Sequence, residues 1–256
     1  MLKMLLWLVP ALIAGSLLLA ANWSYSLAPP APQVLTHAIA NLSSDKVSWL
    51  KTKIRQTMTD ADSTYCAEGT LLRGPNHCAR LEMKALTGGS ESRLLVVSDG
   101  DHLALERAFP GVEPKIVSNP LPEAAGTTRQ DESARDEYLA ARGCGGPGAV
   151  LRKLQVSLQN LKLQTGLLQG RPVIQLKGDL DPRHERDPAI SAIRLRCCFL
   201  FLDAQTLWPV RVEWWGSNSS RGLRCVLQTE FLDPVLNQEL TVEQCVQAFS
   251  YQPGSR

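Results

Sequence analysis

The side chains able to do chemistry are scattered. The four histidines, His37, His77, His102 and His184, form no H-x-H or H-x-x-x-H pair. Cys66, His77 and Cys78 include zinc-ligand types, but their spacing departs from the paired-ligand patterns that hold zinc. Acids gather twice, as Asp99 and Asp101 around a turn and as Asp179, Asp181, Glu185 and Asp187 in a charged stretch. Glycoside chemistry needs two carboxylates facing across an enclosed cleft, and solvated turn acids explain both groups better. Gly143-Cys144-Gly145-Gly146-Pro147-Gly148 matches G-x-G-x-x-G. A polar, helix-like segment precedes it instead of a strand, so a helix ending and another starting account for the glycines. Neither G-x-x-x-x-G-K-[ST] nor G-x-S-x-G occurs. The expectation is no catalytic residue, no metal and no cofactor.

The seven cysteines leave at least one thiol unpaired within a monomer. A turn at Arg73–Asn76 sets Cys78 opposite about Leu71, not Cys66. Cys197 and Cys225 fall two strands apart, roughly 9–10 Å, too far for a bond. Cys197 and Cys198 point to opposite faces, and most of the thiols read as small core residues. A formal net charge of +2 with no basic block argues against a dedicated nucleic-acid binder. Lys3 followed by the apolar Met4–Ala21 fits a secretory signal peptide, with an uncleaved anchor as the competing reading. The expected organisation is residues 1–21 as signal peptide or membrane anchor, 22–32 as linker and 33–256 as one domain.

The elements that must position any site are mostly strands. Arg194–Phe231 carries three apolar runs separated by Asp203–Thr206 and Gly216–Arg221, the pattern of a three-strand meander. In its middle run Trp208, Val210, Val212 and Trp214 face one way, and Arg211, Glu213 and Trp215 the other. Upstream, Pro32–Leu42 reads as a helix and Val47–Met58 as a long twisted strand, with helix as the competitor. Strands follow at Tyr65–Leu72, His77–Leu86, Arg93–Ser98 and His102–Glu106, with Asp99-Gly100 as a type I′ hairpin. Phe109–Thr128 is a loop or a loosely attached strand. Asp131–Ala141 and Gly148–Ser157 are helical, and Leu158–Leu168 and Pro172–Leu180 are strands. Thr241–Phe249 is a short element with Thr241 as N-cap and Phe249 as apolar anchor, Phe249 and Tyr251 in a last strand being the alternative. About ten strands joined by short turns, without crossover helices, make a mainly β fold with α. Its simplest form is a single curved antiparallel sheet with helices against one face. The aromatics concentrate in that sheet. On periodicity alone, ordinary core packing and a large apolar cavity explain its apolar face equally well.

Leu200–Trp215, with Asp203, Thr206 and Pro209, resembles the D-x-x-T-x-x-P hairpin of the periplasmic lipoprotein-carrier proteins and their lipid-binding relatives. Phe231–Leu240, then Phe249-Ser250-Tyr251-Gln252-Pro253-Gly254, is similar to that family's closing N-x-x-L and F-x-F-x-P-x-G. Glu68-Gly69-Thr70 and Val97–Gly100 suit the family order, and the resemblance covers Gln33–Gly254. It implies an open, unclosed β-barrel with helices over a concave apolar face, and binding of lipid or lipoprotein acyl chains without covalent chemistry. Phe199, Phe201, Trp208, Val210, Val212 and Trp214 then become candidates to line the cavity. The implied partners are a lipid or an acylated lipoprotein, with a membrane as a further partner and no nucleic acid. The implied protein is an exported monomer, periplasmic or membrane-anchored in the envelope. The family latches its lid with a strand arginine, and Arg55 lies in a comparable region. The alternatives are an envelope scaffold with a filled core and a hydrolase acting on an envelope substrate.

Overall fold

The structure, a computed structural model, describes residues 29–43, 45–60, 63–122, 129–181, 194–218 and 221–251. The expected leader, residues 22–28 of the expected linker, the charged connection after Asp181, and residues 252–254 of the family-like close lie outside the described residues; the last two linker residues, Ala31 and Pro32, already belong to the first helix. In chain order the elements are α1 (Ala31–Asn41), β1 (Leu50–Thr59), β2 (Thr64–Arg73), β3 (Cys78–Thr87), β4 (Ser90–Asp99), β5 (His102–Ala108) and β6 (Lys115–Pro120). Then come α2 (Arg129–Ala140), α3 (Gly146–Ser157), β7 (Leu158–Leu168), β8 (Arg171–Leu180), β9 (Arg194–Asp203), β10 (Pro209–Asn218), β11 (Arg221–Leu236) and α4 (Val242–Phe249).

The strands form one sheet in the order β6-β5-β4-β3-β2-β1-β11-β10-β9-β8-β7, with each neighbouring pair antiparallel. It is not closed, so β6 and β7 are its two edges. β6 falls in Phe109–Thr128, and the structure decides for the attached strand over the loop; with no buried residue it offers no alternation to read. Its Pro120 suits an edge, where a missing N–H interrupts no ladder.

One face forms the main core. Thr52, Leu71, Leu81, Val96 and Leu105 make one cross-strand row, and Thr229, Val212, Leu200, Leu176 and Leu163 make another. Helices cover these rows. α1 buries Ala31, Val34, Leu35 and Ala38 at helical spacing, and α3 buries Leu151 and Leu154. The outer face has a smaller cover, α4, which packs on β3 and β4. Thr241 caps α4 in a full capping box with Gln244, so the helical reading holds over the strand alternative. The Phe249 ring lies 6.2 Å from that of Trp49.

Two local expectations need correction. In the β4–β5 turn Gly100 has φ 103° and Asp101 is not in the left-handed region. That is the pattern of a type II′ turn, not I′, and Asp99 Oδ1 stabilises it by accepting the N–H groups of Asp101 and His102 at 2.9 and 2.8 Å. Cys78 does not face Leu71, which pairs with Leu81; its carbonyl accepts the Gly74 N–H. The G-x-G-x-x-G match is indeed the α2–α3 junction. Gly146 has φ 66°, and a Cβ there would stand 2.9 Å from Leu71 Cδ2.

Gly69 shows how tightly β2 packs. A Cβ on it would stand 1.9 Å from the Glu82 carbonyl oxygen and 2.6 Å from Met83 Sδ. Gly69→Ala therefore displaces the β3 backbone, at about 2–3 kcal/mol of stability. The expected fall in Tm by calorimetry is roughly 4–12 °C, and an unchanged Tm would show that β3 yields freely.

Candidate functional site

The six residues proposed from sequence separate in the structure. Trp208, Val210 and Val212 are buried in the main core. The Trp208 indole Nε1 donates to the Phe231 carbonyl at 3.1 Å, so its polar edge is satisfied and its orientation set. Trp214 shares their face and is half-buried. Phe199 and Phe201 pair across from Glu213 and Arg211, and opposite partners share a face, so both project to the outer side. There Phe199 stacks at 5.5 Å on Trp215, with the Lys177 ammonium 5.3 Å from its ring, while Phe201 packs at the margin of the core. The structure does not gather the six around one space.

An apolar groove does exist, at another place. It lies between α1, α3 and the start of β7, is lined by Pro32, Leu35, Thr36, Gln155, Leu158, Asn160 and Leu161, and encloses about 230 Å³. That is below the ~300–1,000 Å³ of sites for drug-sized ligands, so it suits a narrow chain. The polar groups sit at its mouth, where Gln155 Nε2 donates to Thr36 Oγ1 at 3.3 Å and Asn160 Nδ2 to Asp179 Oδ2 at 3.2 Å. Its floor continues along the sheet. Leu158 and Leu161 lie against Gly178, which pairs with Cys198; Cys198 pairs with Trp214, Trp214 with Leu227, Leu227 with Met58, and Met58 with Tyr65. This row passes from full burial at Cys198 to exposed Met58 and Tyr65. Trp214 is the one sequence candidate on it. The rest gave no sequence signal, because groove residues from two helices and an edge strand share no period.

The contact that ties helices to sheet also differs from expectation. Arg55 points outward, pairing with Glu68 at 2.7 Å and Glu230 at 3.8 Å. Arg73, on the helix-covered face at the end of β2, donates from Nη1 to the Gly145 carbonyl at 3.0 Å and from Nη2 to Asp136 Oδ1 at 3.2 Å. His77 Nδ1 is 3.4 Å from the same oxygen. Arginine on the inward alternation Gly69, Leu71, Arg73 was the available signal. Burial opposes ionisation of Asp136, but the His77 hydrogen bond and the Arg73 charge outweigh it and hold the carboxyl below its ordinary range.

Among the described residues no cluster of three His, Cys, Asp or Glu could hold a metal ion. Burial pushes the Cys144 thiol up to about 12 and Cys225 up to about 11, and raises Cys198 well above its ordinary value, so these thiols stay protonated. All seven cysteines are free.

Among the described residues the architecture is an open antiparallel sheet with a helical cover and a small apolar groove at their seam. No family model and no curated protein matches the chain. Among solved structures it is similar to LprF from Mycobacterium bovis, with TM-score 0.45 and 14% identity, over 84% of this chain and 96% of that one. It is similar to the lipoprotein LppX from Mycobacterium tuberculosis, with TM-score 0.42 and 12% identity over 84% of this chain and 100% of that one. A LolA superfamily protein from Nitrosomonas europaea aligns with TM-score 0.34 and 11% identity, over 88% of this chain and 99% of that one. Likeness at this level transfers neither a ligand nor a residue's role.

Because the folded Asp136 pKa is depressed, its contribution to stability is full above the unfolded value of about 3.9 and is lost as pH falls through the folded one. Urea midpoints measured from pH 5 to pH 2.5 should therefore fall more steeply for the native chain than for Asp136→Asn. Parallel curves would mean the Arg73–Asp136–His77 contact does not hold the helices down.

Proposed function

We propose that this chain is a non-enzymatic carrier of lipid or lipoprotein acyl chains in the bacterial envelope, with Met4–Ala21 serving as its leader or its membrane anchor. The observation that carries the reading is the groove between α1, α3 and β7, continuous with the Gly178–Cys198–Trp214–Leu227–Met58 row. An acyl chain fits such a seat because each CH₂ leaving water gains about 0.8 kcal/mol. The neutral amides and hydroxyl at the mouth suit the ester or amide at the head of the chain. The open sheet supports the reading as well, since no ladder of hydrogen bonds links β6 to β7 and the seam can widen without breaking one. On this reading Trp214 lines the acyl path. Trp208, Val210 and Val212 form its inner wall, and would meet the chain only if the helices lift. Phe199 and Phe201, on the outer face, would serve a partner and not the acyl chain.

A second reading is favoured by one observation. Trp208, Val210 and Val212 are already buried by the protein itself, as in a scaffold whose core is filled. Lipid extraction and mass spectrometry of the chain purified from membranes decides between them. The carrier reading expects roughly stoichiometric acyl lipid, and Leu161→Arg, which sets a charge in the groove, should cut occupancy at least about tenfold with little change in Tm. Lipid-free protein, or unchanged occupancy in Leu161→Arg, would leave the scaffold.

A further inference from the structure

The strand directions put several hairpins at one rim of the sheet. The β1–β2, β3–β4, β5–β6 and β10–β11 connections all lie at the end where β1 finishes and β7 begins. This rim carries Met58, Tyr65, Leu86, Phe109, Val112 and Leu223, all large, apolar and exposed; Leu86 is 71% and Val112 62% accessible. Exposure by itself does not choose this rim, because the other carries Leu167, Val235 and Leu236.

Two further observations choose it. First, the chain enters the fold here. α1 runs antiparallel to α3: Thr36, midway along it, meets Gln155 near the end of α3, and Leu42 just past its end lies by Gly148 near the start of α3. α3 ends where β7 begins, so the first turn of α1 is at the same rim. Nine residues, Asn22 to Pro30, separate α1 from the apolar Met4–Ala21. The ten steps from Ala21 to Ala31 reach at most about 33–36 Å. The ten-residue β1 alone is about 33 Å long, so an inserted Met4–Ala21 brings this rim to a bilayer at any linker extension, and the other rim only at nearly full stretch. Second, the groove lies at this rim, and the row from its floor ends on Met58 and Tyr65.

We propose that this rim is a bilayer-docking face, whose hairpin tips place their apolar side chains among the lipid headgroups and acyl boundary and set the groove against the membrane. The proposal rests on Met4–Ala21 being membrane-inserted. Twist across the sheet spreads the tips around an arc, so each adds its own area at the interface. The occupant is lipid and not a second copy, since the tether delivers the rim to a membrane whether or not another chain is near.

The test uses the full chain reconstituted in phosphatidylcholine–phosphatidylglycerol vesicles containing a diazirine-tailed phosphatidylcholine. Photolysis and peptide mapping should find adducts on the Phe109–Val112 and Leu223 peptides at least fivefold above those on Leu167 or Val242. Phe109→Asp with Val112→Asp, both at exposed positions, should reduce the Leu223 adducts at least threefold without lowering Tm. Adducts equal at both rims, or confined to the Leu35 and Leu161 peptides, would overturn docking; the second pattern would leave acyl binding standing. Release of the chain by alkaline carbonate would overturn the inserted segment and the docking face together. Tips crosslinked to another protein copy, without lipid adducts, would overturn it too.

Discussion

The pairing of β1 with β11 is the constraint on which the rest of the structure depends. It joins a six-strand meander, β1 to β6, to a five-strand one, β7 to β11. With β1 and β11 in the middle, β6 and β7 must become opposite edges. The chain can pass from β6 to β7 only by crossing a face, and it does so through α2 and α3. The helical cover is thus a consequence of the topology. The register of this pair is held by more than its ladder. Thr52 Oγ1 donates to the Leu232 carbonyl at 2.8 Å beside the bulge, and Asn237 clasps the approach to β1 through the Lys46 carbonyl and the Ser48 N–H at 2.8 and 3.0 Å.

The polar residues in and beside the D-x-x-T-x-x-P hairpin are fasteners. Asp203 accepts from the Gln205 and Thr206 N–H groups and from the Thr206 hydroxyl, at 3.0, 2.9 and 3.0 Å, and shapes the β9–β10 turn. Although burial opposes ionisation there, these hydrogen bonds keep its carboxyl below the ordinary range. Arg211 pairs with Glu230 at 2.8 Å and Glu213 at 3.4 Å on the outer face, while Trp215 Nε1 donates to Glu213 at 3.1 Å. Charges directly across from one another reinforce the β10–β11 register without a covering helix. The D-x-x-T-x-x-P motif of the resemblance is therefore a turn device.

Much of the fold was legible for the same reason. Alternation survives wherever one strand face is buried and the other wet, so β1 to β5 and β7 to β11 could be read, with ends displaced by a few residues. Helix α4 was legible through its cap. β6 was legible only as one of two alternatives, because an edge strand exposed on both faces has no period. The candidate site was legible only in part. Alternation correctly grouped Trp208, Val210, Val212 and Trp214, but it had no means to say which of them a helix would cover. Phe199 and Phe201 were grouped with them by composition, and the β9–β10 register turns both outward.

The sequence by itself determined most of the sheet and the cap of α4, because those follow from local sterics and from hydrogen bonds between near neighbours. It also determined that no compact set of reactive side chains would form from adjacent positions. Only the tertiary structure decided where apolar surface stays open. That depends on how far two helices reach across a sheet of fixed width, a quantity written in no single segment. The groove collects Leu35 from α1, Gln155 from α3 and Leu161 from β7, three residues that meet because β1 pairs with β11 and sends β7 to the far edge.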